Sequence, residues 1–124
     1  MTTLKVGIAS YEDMKERTLA IARGERQSTA DDPQVWFLST ESFARILSSG
    51  NRELLRTIAD NSPDSLEELA RLTGRAKSNL SRTLKTMAHY GIVRLDRGER
   101  GRVKPTVLAD RVELELPLIA REAN

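Results

Sequence analysis

Cysteine is absent from this 124-residue chain, and histidine occurs once, as His89. These absences exclude disulfide scaffolds, iron–sulfur clusters, thiol nucleophiles and metal sites built from cysteine or several histidines. No apolar run approaches the roughly 18 residues of a membrane span, and the N-terminus lacks the apolar core of a signal peptide. A nucleophile motif and a phosphate-binding glycine loop are also missing. We therefore expect a cytoplasmic protein that is not an enzyme, with no cofactor, no metal, no catalytic residue and no membrane contact.

Aromatic residues are scarce as well, at 4% of the chain, whereas charged residues make up 31% and hydrophobic residues 39%. This composition is typical of a chain that folds. Its length suits one domain, or one domain with an arm, and is too short for two independent cores. His89 is expected to be a surface or structural residue, and Trp36 and Phe37 to be core or interface anchors.

The formal net charge of +2 hides an uneven distribution. Residues 71–104 hold ten basic and two acidic residues, a surplus of eight positive charges. The remaining residues hold ten basic and sixteen acidic residues, a surplus of six negative charges. A basic block of this kind indicates a polyanionic partner when it coincides with a structural motif.

Residues 1–39 form the first segment of the predicted organisation. The alternation from Leu4 to Ile8 predicts a strand, and Ser10 then caps a helix over residues 11–23 that Gly24 ends. After a polar loop through Asp31-Asp32, the apolar run Val35–Leu38 predicts an extended segment. We interpret residues 1–39 as a strand–helix arm that takes part in dimerisation.

Residues 40–108 follow a helical pattern and then a hairpin pattern. Thr40 is expected to cap a helix that runs through Ser49 and stops at Gly50, and Asn51 is expected to cap the next helix. Ser65 and Glu68 form a capping box for a short third helix. Thr73-Gly74 then predicts a tight turn. The last helix of this segment covers residues 77–90, and its inward side chains are Leu80, Leu84 and Met87.

A glycine-tipped hairpin follows these helices. Ile92–Leu95 and Arg102–Leu108 are predicted strands, and Asp96–Gly101 is the tip. Pro105 suits only an edge strand. Apolar residues then alternate with charged ones from Val112 to Leu116, which predicts a further strand. Residues 109–124 are interpreted as a C-terminal assembly element that joins the arm at the dimer surface.

Helix, tight turn, helix and hairpin is the order of a winged helix-turn-helix. Ala70 is small enough for close helix approach, Gly74 can take a positive φ, and Leu80 plugs the second helix into the core. The stretch from Ser65 to Leu95, and above all Ser78–Arg82 and Gly91–Val93, resembles winged-helix transcriptional regulators of the MarR/ArsR kind. The resemblance implies an α+β, mainly α, fold with a DNA-binding domain at residues 40–108. Within that superfamily the chain is most similar to a group of small prokaryotic predicted DNA-binding regulators. Some members of such groups are encoded beside toxins and act as antitoxin-type autorepressors.

The exposed face of the second helix carries residues suited to phosphate and base contacts. The predicted recognition-helix contacts are Arg75, Lys77, Ser78, Asn79, Ser81, Arg82 and Lys85. In the hairpin, two glycines allow a tight tip, and arginine suits a narrow minor groove. The predicted wing contacts are Arg94, Arg97, Arg100, Arg102 and Lys104.

The sequence thus predicts a sequence-specific, double-stranded-DNA-binding regulator, a repressor, that acts as a homodimer on a pseudo-palindrome. The alternative is an antitoxin whose acidic segments bind a toxin or other protein partner while its DNA binding serves autoregulation. An RNA-binding role is disfavoured because the motif lacks exposed aromatic residues on which single-stranded bases stack.

Overall fold

The computed structural model of the chain describes residues 2–27 and 32–119. This part has an α+β fold, as expected, with five α-helices and five strands. The elements in chain order are β1 (Thr3–Ile8), α1 (Tyr11–Ala22), β2 (Val35–Phe37), α2 (Thr40–Ile46), α3 (Ser49–Asn61), α4 (Leu66–Thr73), α5 (Lys77–His89), β3 (Val93–Arg97), β4 (Val103–Val107) and β5 (Arg111–Glu115). A single 3-10 turn, Glu99–Gly101, lies between β3 and β4. Asp31 and the end of the predicted C-terminal element lie outside the described residues.

The strands form two sheets. One is a parallel three-stranded sheet in the order β2-β1-β5, in which Val6 of β1 lies opposite both Val35 and Leu114. The other is the antiparallel hairpin β3–β4, in which Leu95 pairs with Pro105. The further strand predicted from Val112 to Leu116 is therefore present, and its partner is the strand that begins the chain.

The main core lies between α3, α4, α5 and the hairpin. It is built from apolar residues that are at most 5% exposed: Leu54, Ile58, Leu66, Leu69, Leu80, Leu84, Met87, Ile92 and Val93. The three side chains predicted to face inward from α5 are fully buried. The prediction of the buried face of α5 is thus confirmed, and the opposite face of this helix must point to solvent.

Phe37 attaches the parallel sheet to the helices. Its ring is fully buried, stacks on Tyr90 with centroids 4.2 Å apart and meets Phe43 edge-on at 5.3 Å. Leu4 of β1 also packs against the main core. Since Leu4 and Val6 pair with Val112 and Leu114, the even-numbered residues of β5 lie on the sheet face that meets the helices.

The opposite face of the sheet carries α1. Trp36 covers Gly7 so closely that a Cβ on Gly7 would fall 2.6 Å from the indole ring. The Arg17 guanidinium of α1 lies 5.2 Å from the centre of this ring and forms a 2.8 Å ion pair with Asp32. No residue of α1 is buried, and Arg17 is one of its half-buried residues.

Two local predictions need correction. The helix expected from Thr40 to Ser49 is capped by Ser39 and ends at Ile46, and the next helix begins at Ser49 with Ser48 as its cap. Gly50 therefore lies inside a helix and does not stop one. The physical reason is that the Ser48 hydroxyl accepts a hydrogen bond from the backbone N–H of Asn51 at 3.2 Å. The side-chain amide of Asn51 is therefore not needed as a cap and donates instead to the Ile46 carbonyl at 3.0 Å.

The capping box at the start of α4 forms with one of its two hydrogen bonds moved to the preceding residue. Ser65 Oγ accepts the Glu68 N–H at 3.1 Å, as predicted. The Glu68 carboxylate, however, accepts the N–H of Asp64 and not that of Ser65. The N-terminus of α4 is thus still fixed by two reciprocal bonds.

Candidate nucleic-acid interface

A tight turn sets the angle between α4 and α5. Gly74 has φ = +74° and donates its N–H to the Ala70 carbonyl at 2.9 Å. This left-handed conformation closes α4 and is readily adopted only by glycine. The chain then passes through Ala76, which is extended, and α5 begins without a side-chain cap. The first N–H groups of α5 therefore remain available to an external acceptor.

The exposed face of α5 carries most of the side chains that the sequence predicted for this helix. Ser78, Asn79, Arg82 and Lys85 are exposed, and Ser81 is half-buried. Arg82 and Lys85 form no ion pair with any residue that the structure describes.

Arg75 is placed differently from the other predicted contacts. Its half-buried side chain donates from Nη1 to Asn51 Oδ1 at 3.0 Å and from Nη2 to the Gly50 carbonyl at 2.9 Å. Asn51 in turn donates to the Ile46 carbonyl. These bonds connect the end of α2, the first turn of α3 and the turn before α5. Arg75 is therefore in a position to orient α5.

Lys77 has an internal partner as well. Its ammonium group forms a hydrogen-bonded ion pair with the Glu67 carboxylate of α4. This bond lowers the pKa of the Glu67 carboxyl from its usual value. Both side chains are more than half exposed, so water competes for the pair and Lys77 can exchange its partner at little cost.

The hairpin presents a second group of cations. Arg97, Arg100 and Arg102 are exposed and form no ion pair within residues 2–27 and 32–119. Arg94 is paired with Asp96 at 3.0 Å, and Lys104 lies 4.0 Å from Asp64. The three unpaired guanidinium groups therefore cluster around the tip.

The tip has an unusual backbone. Arg100 and Gly101 both have positive φ, +58° and +73°. Gly98 and Arg102 close the turn through a 2.8 Å bond between the Gly98 N–H and the Arg102 carbonyl. A positive φ costs a non-glycine residue free energy, so the fold holds the Arg100 backbone in a strained conformation at the outermost point of the hairpin.

One cation was missed by the sequence analysis. Arg45, exposed in the last turn of α2, lines a concavity of about 210 Å³ together with Asn51, Arg82 and Thr86. The concavity brings Arg45 and Arg82 to the same surface although they are far apart in sequence. The only local signal for Arg45 was a basic residue in the last turn of a helix.

We use the term basic surface for the exposed face of α5, the hairpin tip and the adjoining arginine of α2. Its members are Arg45, Ser78, Asn79, Arg82, Lys85, Arg97, Arg100 and Arg102. Within the described residues no group of three or more His, Asp or Glu side chains is arranged to hold a metal ion. None of the helices in this part of the chain combines the length and hydropathy of a membrane span.

A protein-family model matches part of this chain. The HVO_A0114 family model matches residues 46–114, which run from the end of α2 through the hairpin and most of β5. Neither the curated proteins nor the solved structures contain a significant match. Since the matched region covers more than half of the sequence, the chain belongs to the HVO_A0114 family.

Proposed function

We propose that this protein is a winged helix-turn-helix transcription regulator that binds double-stranded DNA sequence-specifically and acts as a homodimeric repressor. In this proposal α4 and α5 are the helix-turn-helix, α5 is the recognition helix, and β3–β4 is the wing. The observation that carries it is the basic surface, in which unpaired cations on α5 and at the hairpin tip are held by one packed core.

The exposed face of α5 has the chemistry of a recognition helix. Arginine binds the guanine edge in a bidentate manner, and asparagine does the same with adenine. Arg82 lies opposite the buried Leu80 and Leu84, and Asn79 lies at the edge of the exposed face, so both are within reach of a duplex that docks there. Ser78 and Lys85 are suited to phosphate contacts, which position the helix without reading sequence.

The hairpin tip supplies a different kind of contact. An arginine inserted into a narrow minor groove is attracted by the strong negative potential there. Arg100 stands in the turn at the tip, and Arg97 and Arg102 flank it. The tip therefore suits an A·T-rich flank of the site, whereas α5 reads the major groove.

Two of the predicted contacts have a modified role in this proposal. Arg75 keeps its bonds to Asn51 and Gly50 and orients α5. Lys77 exchanges the Glu67 carboxylate for a phosphate oxygen. The cations that are paired inside the protein thus adjust the position and the charge of the basic surface. The unpaired cations supply most of the electrostatic attraction to DNA.

The proposal is tested by fluorescence anisotropy with a labelled duplex from upstream of the protein's own gene and a shuffled duplex of equal composition. We expect tighter binding to the upstream duplex at physiological salt. Arg82→Ala and Arg100→Ala should each weaken binding and reduce the slope of log K against log salt by about 0.9 per lost phosphate contact. Lys15→Ala, which removes the same charge from α1, is the matched control.

Equal affinities for the two duplexes would refute sequence specificity. If Arg82→Ala and Arg100→Ala bind as Lys15→Ala does, the basic surface is not the interface. Preference for a single-stranded RNA of the same sequence over the duplex would contradict the DNA-binding proposal itself.

A further inference from the structure

Strand β5 forms an open edge of the parallel sheet. It pairs with β1 on one side, and its other side has no strand partner among the described residues. Leu114 and Leu116 are 39% and 44% exposed at this edge, although the strand alternation turns them toward the helices. Exposed edges with apolar side chains are usually blocked in monomeric proteins because they pair with other strands. In the described part of the chain, Pro117 limits this edge at its C-terminal end, and the charges of Arg111, Glu113 and Glu115 oppose any pairing that does not match them.

The charges of β5 are arranged so that the strand can pair with itself. Arg111 and Glu113 lie on the face away from the helical core and are joined by a 2.9 Å ion pair. In an antiparallel pair with Val112 on the twofold axis, Arg111 lies opposite the partner's Glu113, and Glu113 opposite the partner's Arg111. Cross-strand pairs of opposite charge stabilise a sheet, so four charges then form a closed ring.

The neighbouring registers lack this complementarity. With Glu113 on the axis, two carboxylates face each other directly. With Leu114 on the axis, Glu113 faces the partner's Glu115. Registers whose axis falls between two residues pair the even-numbered, apolar residues of one strand with the odd-numbered, charged residues of the other. The two-residue period of the strand excludes them, because they would put apolar and charged side chains on the same face of the sheet. The register centred on Val112 is therefore the one in which the charges of β5 are all compatible.

We propose that two copies of this chain associate through antiparallel pairing of their β5 strands about a twofold axis at Val112, which creates a continuous six-stranded sheet. This inference deepens the proposed homodimeric function and rests on it. An axis normal to the sheet keeps both helical cores on the same sheet face. The two helical cores, which carry the basic surfaces, then lie on the same side of the dimer sheet, and binding to two half-sites of one duplex requires such an arrangement.

The surroundings of β5 fit a second copy of the chain as the occupant. A cavity of about 540 Å³ beside Val112 has apolar walls that include Leu47 and Leu55, and the partner strand would border and partly cover it. The opposite edge of the sheet, β2, has only three residues. Pairing of β5 with β2 of another copy would be head-to-tail and would produce a ring or an open filament, whereas β5 with β5 closes as a dimer.

Charge exchange at the axis tests the pairing and its register together. Arg111→Glu and Glu113→Arg each place like charges opposite one another on both sides of the axis. We expect each single variant to dissociate at least roughly tenfold more readily than the wild type, measured by analytical ultracentrifugation in low salt without DNA. An equimolar mixture of the two variants should form a heterodimer, because every facing pair is then of opposite charge. The double variant should form a homodimer again.

Two controls accompany these measurements. Lys15→Glu and Glu16→Arg reverse the same charges on α1 and should leave the wild-type dimer unchanged. Thermal unfolding monitored by circular dichroism shows whether each variant is folded, and recovery of the dimer on mixing proves this directly for the two single variants.

A monomeric wild type at all concentrations would overturn the proposal, as would a wild type that gains mass only with a different protein. Dimeric single variants would show that β5 is not the interface. If Glu113→Arg stays dimeric while Arg111→Glu dissociates and is not rescued, the axis lies at Glu113 and the register is wrong. A different result would refute the DNA-binding function alone. In that case the charge-exchange variants of β5 behave as expected, but substitutions in the basic surface leave the affinity for DNA unaltered.

Discussion

Replacement of Arg75 by alanine is the sharpest test of how α5 is held in place. The substitution removes both guanidinium bonds, to Asn51 Oδ1 at 3.0 Å and to the Gly50 carbonyl at 2.9 Å. Hydrogen bonds to charged groups are worth more than neutral ones, but water reaches this half-buried site and partly replaces them. We therefore expect a loss of about 2 kcal/mol in the free energy of unfolding. For a chain of this size the loss corresponds to a fall in Tm of about 8 °C.

Urea unfolding and differential scanning calorimetry measure this loss. The matched control is Arg97→Ala, since Arg97 is an exposed arginine without an ion pair in the described part of the chain, and its change should stay within about 0.5 kcal/mol. A double-mutant cycle with Asn51→Ala should give a coupling of about 1 kcal/mol, because the two side chains share one bond. If Arg75→Ala is as stable as Arg97→Ala, the bond network does not orient α5.

The same variant separates orientation from direct contact with DNA. Because the Arg75 guanidinium is occupied inside the protein, its removal should weaken DNA binding without lowering the salt slope. Loss of Arg82 should instead lower the slope by about 0.9. An equal decrease of the slope for the two variants would show that Arg75 releases Asn51 and binds a phosphate.

Three further changes test other parts of the structure. Leu84→Ala opens a cavity in the fully buried core and should cost about 2–5 kcal/mol in urea unfolding; a cost no larger than that of Lys85→Ala would refute the assignment of the faces of α5. Gly7→Ala places a Cβ 2.6 Å from the Trp36 ring and should cost about 1–3 kcal/mol, with a shift in tryptophan emission that arises from Trp36 alone; unchanged emission would contradict this packing. Because Lys77 lowers the pKa of Glu67, the ion pair persists at neutral pH and weakens as the pH falls through that lowered value. Glu67→Gln frees Lys77 at every pH and should raise DNA affinity severalfold at pH 7, and unchanged affinity would show that Lys77 stays off the DNA.

The elements that the sequence predicted correctly are governed by local interactions. Leu80, Leu84 and Met87 recur at helical spacing, and this spacing alone defines the buried face of α5. Gly74 stands at the end of α4 because the backbone there needs a positive φ. Such signals lie within one or two turns of a helix and can be read without knowledge of the tertiary structure.

The boundary between α2 and α3 shows where local signals compete. Serine and asparagine are equally good helix caps, and both Ser48 and Asn51 were available. Ser48 is the cap of α3 because the side chain of Asn51 makes two other hydrogen bonds. It donates to the Ile46 carbonyl and accepts from Arg75. The second partner is 24 residues away in sequence, so the local pattern contained no trace of it.

The partner of β5 was inaccessible from the sequence for a related reason. Alternation from Val112 to Leu116 predicts a strand but not its neighbour, since parallel pairing depends on connections of many residues. The structure joins β5 to β1, so the first and last described segments share one sheet. The strands β1, β2 and β5 are therefore parts of one sheet whose members are widely separated in the sequence.

The internal pairing of the cations changes the meaning of the basic block at residues 71–104. Four of its ten basic side chains have partners inside the protein: Arg75, Lys77, Arg94 and Lys104. Two of the carboxylates involved, Glu67 and Asp64, come from outside the block, so at least these two acidic residues lie beside the basic surface and are not segregated from it. Each of these carboxylates must be displaced before its cation can reach a phosphate. If the proposed function holds, the exposed pairs reduce the attraction to any duplex equally, and discrimination between duplexes rests on the unpaired side chains of α5 and the hairpin tip.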